Sequence, residues 1–336
     1  MKVAIIGSNS FSGSSFTSYL IENKIKVFGF SRSREVTNLF APYRLNKNFK
    51  KYFKFTKADL KIERDLNKII KILEINKVKY VVNFASQGMV AESWINPEDW
   101  YTTNVVSNSK LINKLKNLNL KKYLNFSTPE VYGNTKELIN ENSFFKPSTP
   151  YAVSRAAQDL NIKAYLNTFN FPAVFTRAAN VYGPHQQLYR IIPKTIVKSL
   201  KNETLELHGG GKSIRSFIHI NDVSCALYKI LFDQKNIGET YHISTNKLIS
   251  IKNLLQLTIN IPPVQRICDK DRIKELDDTI KVFRQVIIDN YLNTPEFWAL
   301  KYTVEEESSR RGGQIIKENF GYLVDMNRFR AEKYHG

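Results

Sequence analysis

The sequence predicts an α/β protein built on a doubly wound parallel sheet, and three observations carry that prediction. Short apolar runs alternate with amphipathic helical patterns. A glycine-bearing turn, Gly7-Ser8-Asn9-Ser10-Phe11-Ser12-Gly13, joins the first run to the first helix. Residues able to carry chemistry cluster where the runs end. Strands that alternate with helices need crossover connections, and these cover both faces of a parallel sheet.

Residues 2–6 form the first apolar run, and Phe16, Tyr19 and Leu20 share one face of the helix that follows. Further strands are expected at 26–30, 52–56, 80–85, 122–127 and 173–177. Gly7, Ser31, Ala85 and Ser127 then fall at carboxyl ends, where sheets of this kind bind ligands. Leu111, Leu115 and Leu118 recur at helical spacing, as do Ala156, Leu160 and Ala164; core packing accounts for both stripes, although such faces also pair subunits. After Arg177 the alternation loosens through Asn180-Val181-Tyr182-Gly183-Pro184-His185 and Leu207-His208-Gly209-Gly210-Gly211-Lys212, as in a smaller lobe. Beyond Lys270 a helical stretch is expected over 273–288 and a loop over 308–313.

The composition narrows the function classes. The chain has 336 residues, and a 42% hydrophobic content suits a globular core. The N-terminal apolar run is too short for a signal-peptide core, and no stretch approaches a membrane span, so a cytoplasmic protein with no membrane partner is expected. Cys225 and Cys268 lie far apart and outside any Cys/His cluster, which reads as reduced thiols and no metal site. The formal charge of +19 raises a nucleic-acid partner, but the lysines are scattered among Asn and Ile through most segments. The densest patch, 47–57, interleaves Phe49, Tyr52, Phe53 and Phe55 with Lys50, Lys51 and Lys54 and reads as a solvated strand. No nucleic-acid partner is expected.

The first turn points to a dinucleotide. Glycines after a first strand let the backbone approach a pyrophosphate, and the following helix N-terminus supplies N–H groups and partial positive charge. Gly7 and Gly13 have the outer spacing of G-x-x-G-x-x-G, with Ser10 where a middle glycine is usual. An acidic residue at the end of the second strand would bind the ribose hydroxyls of NAD. This chain offers Phe30-Ser31-Arg32-Ser33-Arg34 instead, and hydroxyls with guanidinium groups suit a 2′-phosphate, so NADP is favoured and NAD is the alternative. Asp59, at the end of the third strand, either accepts from the adenine amino group or N-caps the next helix. A dinucleotide-binding Rossmann domain is therefore expected over 1–177, with 216–242 returning to it, and a second lobe over 178–215 and 243–336.

Two further motifs place proton-transfer groups beside that site: Ser127-Thr128-Pro129-Glu130-Val131-Tyr132-Gly133, and Tyr151-Ala152-Val153-Ser154-Arg155 at the start of a helical pattern. With Asn83-Phe84-Ala85-Ser86-Gln87, the segment from Arg177 to Pro184, Ile191-Ile192-Pro193, and the segment from Arg215 to Val223, they make an ordered set over roughly residues 1–250. In that order the chain resembles an extended short-chain dehydrogenase/reductase, specifically the nucleotide-sugar 4,6-dehydratases of the dTDP-glucose and GDP-mannose type. The resemblance implies oxidation at sugar carbon 4, elimination of water across carbons 5 and 6, and return of the hydride to carbon 6. It implies Tyr151 as base for the 4-hydroxyl, Thr128 as its hydrogen-bond partner and Glu130 as base for the carbon 5 proton. Gly7, Ser10, Phe11, Gly13, Ser31, Arg32, Asp59, Leu60, Ala85, Ser86, Tyr151 and Arg155 would hold the cofactor, and Gln87, Thr128, Asn180 and Arg215 the substrate. It further implies a homodimer through helices starting near Pro97 and Thr149, and a place in polysaccharide biosynthesis.

Two departures qualify the resemblance. The family usually places Lys four residues after the tyrosine, where its charge favours a phenolate and holds the nicotinamide ribose; this chain has Arg155, with a planar fork of different donor geometry. Pro129 stands where the dTDP-glucose branch has an aspartic acid, so Glu130 would serve as base and then as acid, as in the GDP-mannose type. These departures keep open a 4-epimerase, a uronate decarboxylase and a non-catalytic cofactor-binding protein of the same fold. Tyr132 and Gly133 read as turn-shaping residues. Asp271-Arg272 is the candidate for a nucleotide-contacting Asp-Arg pair that the family commonly carries.

Overall fold

The computed structural model describes residues 1–135, 138–201 and 203–259. The expected helix over 273–288, the loop over 308–313, Cys268 and the Asp271-Arg272 pair lie outside the described residues. The chain forms two compact units, one of Met1–Thr37, Tyr43–Val181 and Ile218–Thr245, the other of Asn38–Pro42, Tyr182–Phe217 and the residues from Asn246.

The described strands, in chain order, are β1 (Lys2–Ile6), β2 (Lys26–Ser31), β3 (Phe53–Lys57), β4 (Tyr80–Asn83), β5 (Lys122–Ser127), β6 (Ala173–Ala178), β7 (Asn180–Tyr182), β8 (Ile214–His219), β9 (Thr240–Ile243) and β10 (Leu248–Ser250). The first unit is built on a seven-stranded sheet in the order β3-β2-β1-β4-β5-β6-β9. Every neighbouring pair is parallel. This is the doubly wound Rossmann arrangement expected from the alternation, and its strand order reverses between β1 and β4, which makes a crevice at their carboxyl ends.

The helices are α1 (Phe11–Glu22), α2 (Phe49–Tyr52), α3 (Glu63–Ile75), α4 (Pro97–Trp100), α5 (Asn108–Leu115), α6 (Pro150–Phe169), α7 (Ile191–Leu200), α8 (Ile220–Phe232) and α9 (Ile251–Ile259). A π-helical segment, Tyr101–Ser107, links α4 to α5 without a break. One core cluster joins Ala4, Ile6, Phe28 and Phe30 of the sheet to Leu66, Ile69, Leu111, Leu115 and Ile162 of α3, α5 and α6. Burying side chains of this size stabilises the fold by about 1.5–3 kcal/mol each.

Three local expectations change. The patch over 47–57 is not one strand: Phe49–Tyr52 is a helical turn, and Phe53 packs on Tyr43 with ring centroids 4.3 Å apart as β3 begins. The stripe on α6 is not all core, because Ala156 is buried while Leu160 is 55% exposed and Ala164 is also exposed. The buried face of α6 carries Arg155, Asp159 and Ile162 instead. Finally, β9 joins the sheet as a seventh strand although Thr240-Tyr241-His242-Ile243 is too short and polar to read as a core strand.

In the second unit β10 pairs antiparallel with β8, aligning Leu248 with Ser216 and Ser250 with Ile214, and α7 packs against α9. Among the described residues no helix is long and apolar enough to cross a membrane.

Candidate active site

The turn after β1 is shaped by close backbone approach. Gly7 has φ +85°, and a Cβ there would lie 2.7 Å from the Ala85 nitrogen. A Cβ on Gly13 would lie 2.3 Å from the Gly7 carbonyl oxygen. Neither position accepts a larger residue without movement of the main chain. Ser10, in the place of a middle glycine, is the N-cap of α1: its Oγ accepts from the Gly13 amide at 3.1 Å and donates to the Gly7 carbonyl at 2.7 Å. Phe11 opens the helix and is buried. The Ser8 Oγ and Asn9 Oδ1 are buried in this turn without a hydrogen-bond partner. Both glycines are required by close packing of the protein's own main chain, and the turn they form, set at a helix N-terminus with unpartnered Ser8 and Asn9 oxygens, fits a pyrophosphate.

The loops after β2 and β3 are tied to local work. The Ser31 Oγ accepts from the Asn9 amide at 2.9 Å, and the Asn9 Nδ2 donates to the Ser33 Oγ at 2.9 Å and the Arg34 carbonyl at 2.8 Å. Arg32 is exposed. The Asp59 Oδ1 accepts from the Lys61 amide at 2.9 Å, while the Asp59 amide donates to the Asp65 Oδ2 at 3.0 Å. The N-cap of α3 is Ile62, not Asp59, and the Leu60 side chain packs in the core.

Beyond β4, Asn83 is buried and aims its amide at two neighbours, donating to the Asn108 Oδ1 at 2.7 Å and the Tyr123 hydroxyl at 2.9 Å, while its Oδ1 accepts from the Ala85 amide at 3.0 Å. Ser86 is exposed. The backbone of Gln87 is held at both ends by Asn104 of the π-helical segment: the Asn104 Oδ1 accepts from the Gln87 amide at 2.7 Å and its Nδ2 donates to the Gln87 carbonyl at 3.0 Å. The same Nδ2 donates to the Ser154 Oγ at 2.9 Å, and Ser154 donates to the Tyr151 carbonyl at 2.7 Å. Asn104 thereby joins the loop after β4 to the first turn of α6.

At the end of β5, Thr128 caps the short 3₁₀ turn Pro129–Tyr132, its Oγ1 accepting from the Glu130 amide at 3.2 Å. Pro129 occupies the first position of that turn, where a missing N–H costs nothing. Glu130 is half-buried beside it. Tyr151 is half-buried in the first turn of α6, whose N-cap, Thr149, accepts from the Ala152 amide at 3.1 Å. Arg155, one helical turn on and 3% exposed, donates from Nη2 to the Phe126 carbonyl of β5. Its fork is therefore bound to the strand, a use that a lysine ammonium would meet with different geometry.

Behind these groups lies a buried polar network. Asp159 accepts from the Asn125 Nδ2 at 2.9 Å, the Ser127 Oγ at 2.9 Å and the Arg177 Nη2 at 3.1 Å, and both charged side chains are fully buried. Arg177 also donates from Nη1 to the Tyr132 hydroxyl at 2.5 Å. That hydroxyl lies 2.8 Å from the His242 Nε2, and the His242 amide donates to the Glu141 Oε1 at 3.0 Å. Gly133 has φ +70° and would place a Cβ 2.1 Å from the Lys146 carbonyl oxygen.

The carboxyl ends of β1, β4 and β5 and the start of α6 thus carry Gly7, Ser10, Gly13, Ala85, Gln87, Thr128, Glu130, Tyr151 and Arg155 in the first unit. Asn180 begins β7 in the same unit and is exposed, whereas Arg215 belongs to the second unit, where its Nε donates to the Ser213 Oγ at 3.2 Å. Sequence reasoning assigned no role to Asn83, Asn104, Asp159, Arg177 or His242. One signal was available: Asn104 and Asn108 precede Leu111 and Leu115 at helical spacing, so two amides continue a core stripe. Among the described residues no group of three His, Cys, Asp or Glu side chains is placed to hold a metal.

The chain is similar in sequence and in fold to known proteins. The profile of the NAD dependent epimerase/dehydratase family matches residues 3–244. A dTDP-D-glucose 4,6-dehydratase of Dictyostelium discoideum is 32% identical over 221 residues, 62% of this chain and 50% of that protein. The low-salt glycan biosynthesis protein Agl12 of Haloferax volcanii is 28% identical over 76% of this chain and 79% of its own length. The chain thus spans between half and about four fifths of the length of these two curated relatives. Among solved structures, a UDP-glucuronic acid 4-epimerase from Bacillus cereus, in complex with UDP-glucuronic acid and NAD, superposes with a TM-score of 0.70 at 26% identity, covering 78% of this chain and 83% of the other.

Proposed function

The chain belongs to the NAD-dependent epimerase/dehydratase family, and from that membership we propose that it is a nucleotide-sugar 4,6-dehydratase. The observation that carries the reading is the 3₁₀ turn after β5, which sets a carboxylate, Glu130, two residues from a hydroxyl, Thr128, at the strand end that α6 grips through Arg155. A dehydratase needs that carboxylate in addition to a tyrosine; an epimerase needs only the first oxidation and its reversal.

A bound nicotinamide supplies reversible acceptance of the hydride. The chain supplies the rest. Tyr151 takes the proton of the 4-hydroxyl, and Thr128 orients that hydroxyl. Glu130 removes the proton from carbon 5 and delivers it to the departing 6-hydroxyl, because Pro129 has no proton to give. Gln87, Asn180 and Arg215 are the proposed substrate contacts, with the Arg215 charge suited to a diphosphate. Gly7, Ser10, Phe11, Gly13, Asp59, Leu60, Ala85 and Ser86 are the proposed cofactor contacts. The family description names NAD; NADP is favoured only by Arg32 and by the lack of a carboxylate at the end of β2, and competitive titration of the two decides between them. Exposed Trp94, Ile95, Val106 and Val153 support the proposed homodimer. A cytoplasmic setting completes the proposal.

The second reading, a 4-epimerase, rests on the B. cereus structure and on Pro129. Mass spectrometry after incubation with a panel of nucleotide hexoses and their uronates separates the outcomes. Loss of water supports dehydration, unchanged mass with a new sugar supports epimerisation, and loss of carbon dioxide supports decarboxylation. Tyr151→Phe is expected to lower turnover by about 10²–10⁴-fold while NAD binding persists; undiminished turnover would remove Tyr151 from the mechanism.

A further inference from the structure

The stretch over 138–149 leads into α6, whose first turn carries Tyr151, and it is fastened to the turn that carries Thr128 and Glu130 and to its surroundings. The Lys146 amide donates to the Val131 carbonyl at 3.0 Å. Phe145 lies 4.9 Å from the Arg177 guanidinium carbon, and Ile139 and Phe145 pack against Val131, Tyr132 and Ala156. Glu141 accepts from the His242 amide, and its carbonyl oxygen lies 3.4 Å from the Tyr132 hydroxyl. At the centre of the fastening is that hydroxyl, set between Arg177 and His242.

We propose that Arg177, Tyr132 and His242 form a clasp that sets Glu130 in register with Tyr151, and that His242 is its pH-sensitive positioning residue. The catalytic half of this inference rests on the dehydratase reading above. A phenol has one proton to give. It receives a bond from Arg177, so its own hydrogen goes to the nearer acceptor, the His242 Nε2 at 2.8 Å, not to the Glu141 carbonyl at 3.4 Å. Neutral His242 then carries its hydrogen on Nδ1, the nitrogen 3.8 Å from the Glu141 carboxylate. Protonated His242 has no acceptor left, so the phenol would face two cations and its hydrogen would have to swing to the longer contact.

The charges around the clasp agree. Burial pushes the Tyr132 phenol up, with Arg177 opposing, so it keeps its proton. Burial holds His242 below the ordinary imidazole value; Glu141 opposes that shift and Arg177 adds to it. The His242 amide holds the Glu141 carboxyl below the ordinary carboxylate range. Both shifts have the same sign for stability. A group whose pKa is depressed in the folded chain binds its proton more weakly there, so its contribution is complete above the unfolded pKa and is lost as pH falls through the folded one. For His242 the loss begins below about pH 6.5, the unperturbed imidazole value.

The test uses the full chain with two substitutions, His242→Asn, which keeps an acceptor and does not titrate, and Tyr132→Phe, which removes the hydroxyl. Tyr132→Phe is expected to lower kcat by about tenfold with KM for the nucleotide sugar and NAD affinity within about twofold. His242→Asn is expected to keep turnover near pH 7.5 and to flatten its fall toward pH 5.5. Amide hydrogen exchange over 138–149 provides a readout free of substrate: relative to His242→Asn at the same pH, the native chain should exchange several-fold faster at pH 5.5 and equally at pH 7.5. Native and Tyr132→Phe chains exchanging alike at both pH values would overturn the clasp. If the native chain turns over no nucleotide sugar, the dehydratase reading fails, and the exchange result alone decides whether the clasp exists.

Discussion

At the end of β1 the chain turns on two glycines and a serine, and the limits are steric: added carbons would meet backbone atoms at 2.7 and 2.3 Å. At the end of β5 it turns on a threonine and a proline, and the limits are electrostatic: Asp159 and Arg177, both fully buried, reach that turn through Ser127 and Tyr132. The first region excludes side chains because strand and turn backbones pack directly against each other. The second imports charged side chains from α6 and β6 so that a few reactive groups stand in a fixed place. A glycine turn resists change at one or two atoms, whereas a buried network spreads its dependence over residues far apart in the chain.

The contrast predicts effects of different size. Asp159→Ala removes one partner of a buried pair and leaves Arg177 uncompensated, which should cost about 3–5 kcal/mol in urea denaturation. Replacing both, Asp159→Leu with Arg177→Met, should cost clearly less; equal losses would mean that packing, not charge, holds the second region. Gly13→Ala should cost about 1–3 kcal/mol from overpacking against main-chain atoms and weaken NAD binding, measured by calorimetry. Gly88→Ala is its control, because beyond its chain neighbours no atom lies within 4 Å of a Cβ there. A harmless Gly13→Ala would break the steric account. Ser10→Ala, which loses the cap of α1, should cost about 1 kcal/mol by thermal unfolding and weaken NAD binding less than Gly13→Ala does.

The same contrast explains what could be read from residues alone. Steric turns and sheet alternation are local, so the position of Gly7 and Gly13, six of the seven sheet strands and the placement of Thr128, Glu130 and Tyr151 at strand and helix ends were legible from spacing. Asp159 and His242 carry no local signature and look like surface residues until α6 and β9 bring them to one point, and β9 was itself hidden by its polar sequence. Arg177 was legible as the end of a strand, but its buried pairing with Asp159 was not. Leu160 misled for the complementary reason: it continues an apolar spacing on α6, while the buried face of that helix is taken by Arg155 and Asp159.

The π-helical segment that bears Asn104 has one further consequence. Along it the Ser107 Oγ and the Asn108 Nδ2 donate to the Thr102 and Thr103 carbonyls, five residues back, at 2.8 and 2.9 Å. Such a segment holds more residues per turn than an α-helix, at some loss of packing quality. Deleting one residue there would let α4 and α5 merge into a more regular helix, yet it would rotate Asn104 by about 100° away from the backbone of Gln87. A more regular helix and the Asn104–Gln87 link therefore make opposite demands on this segment.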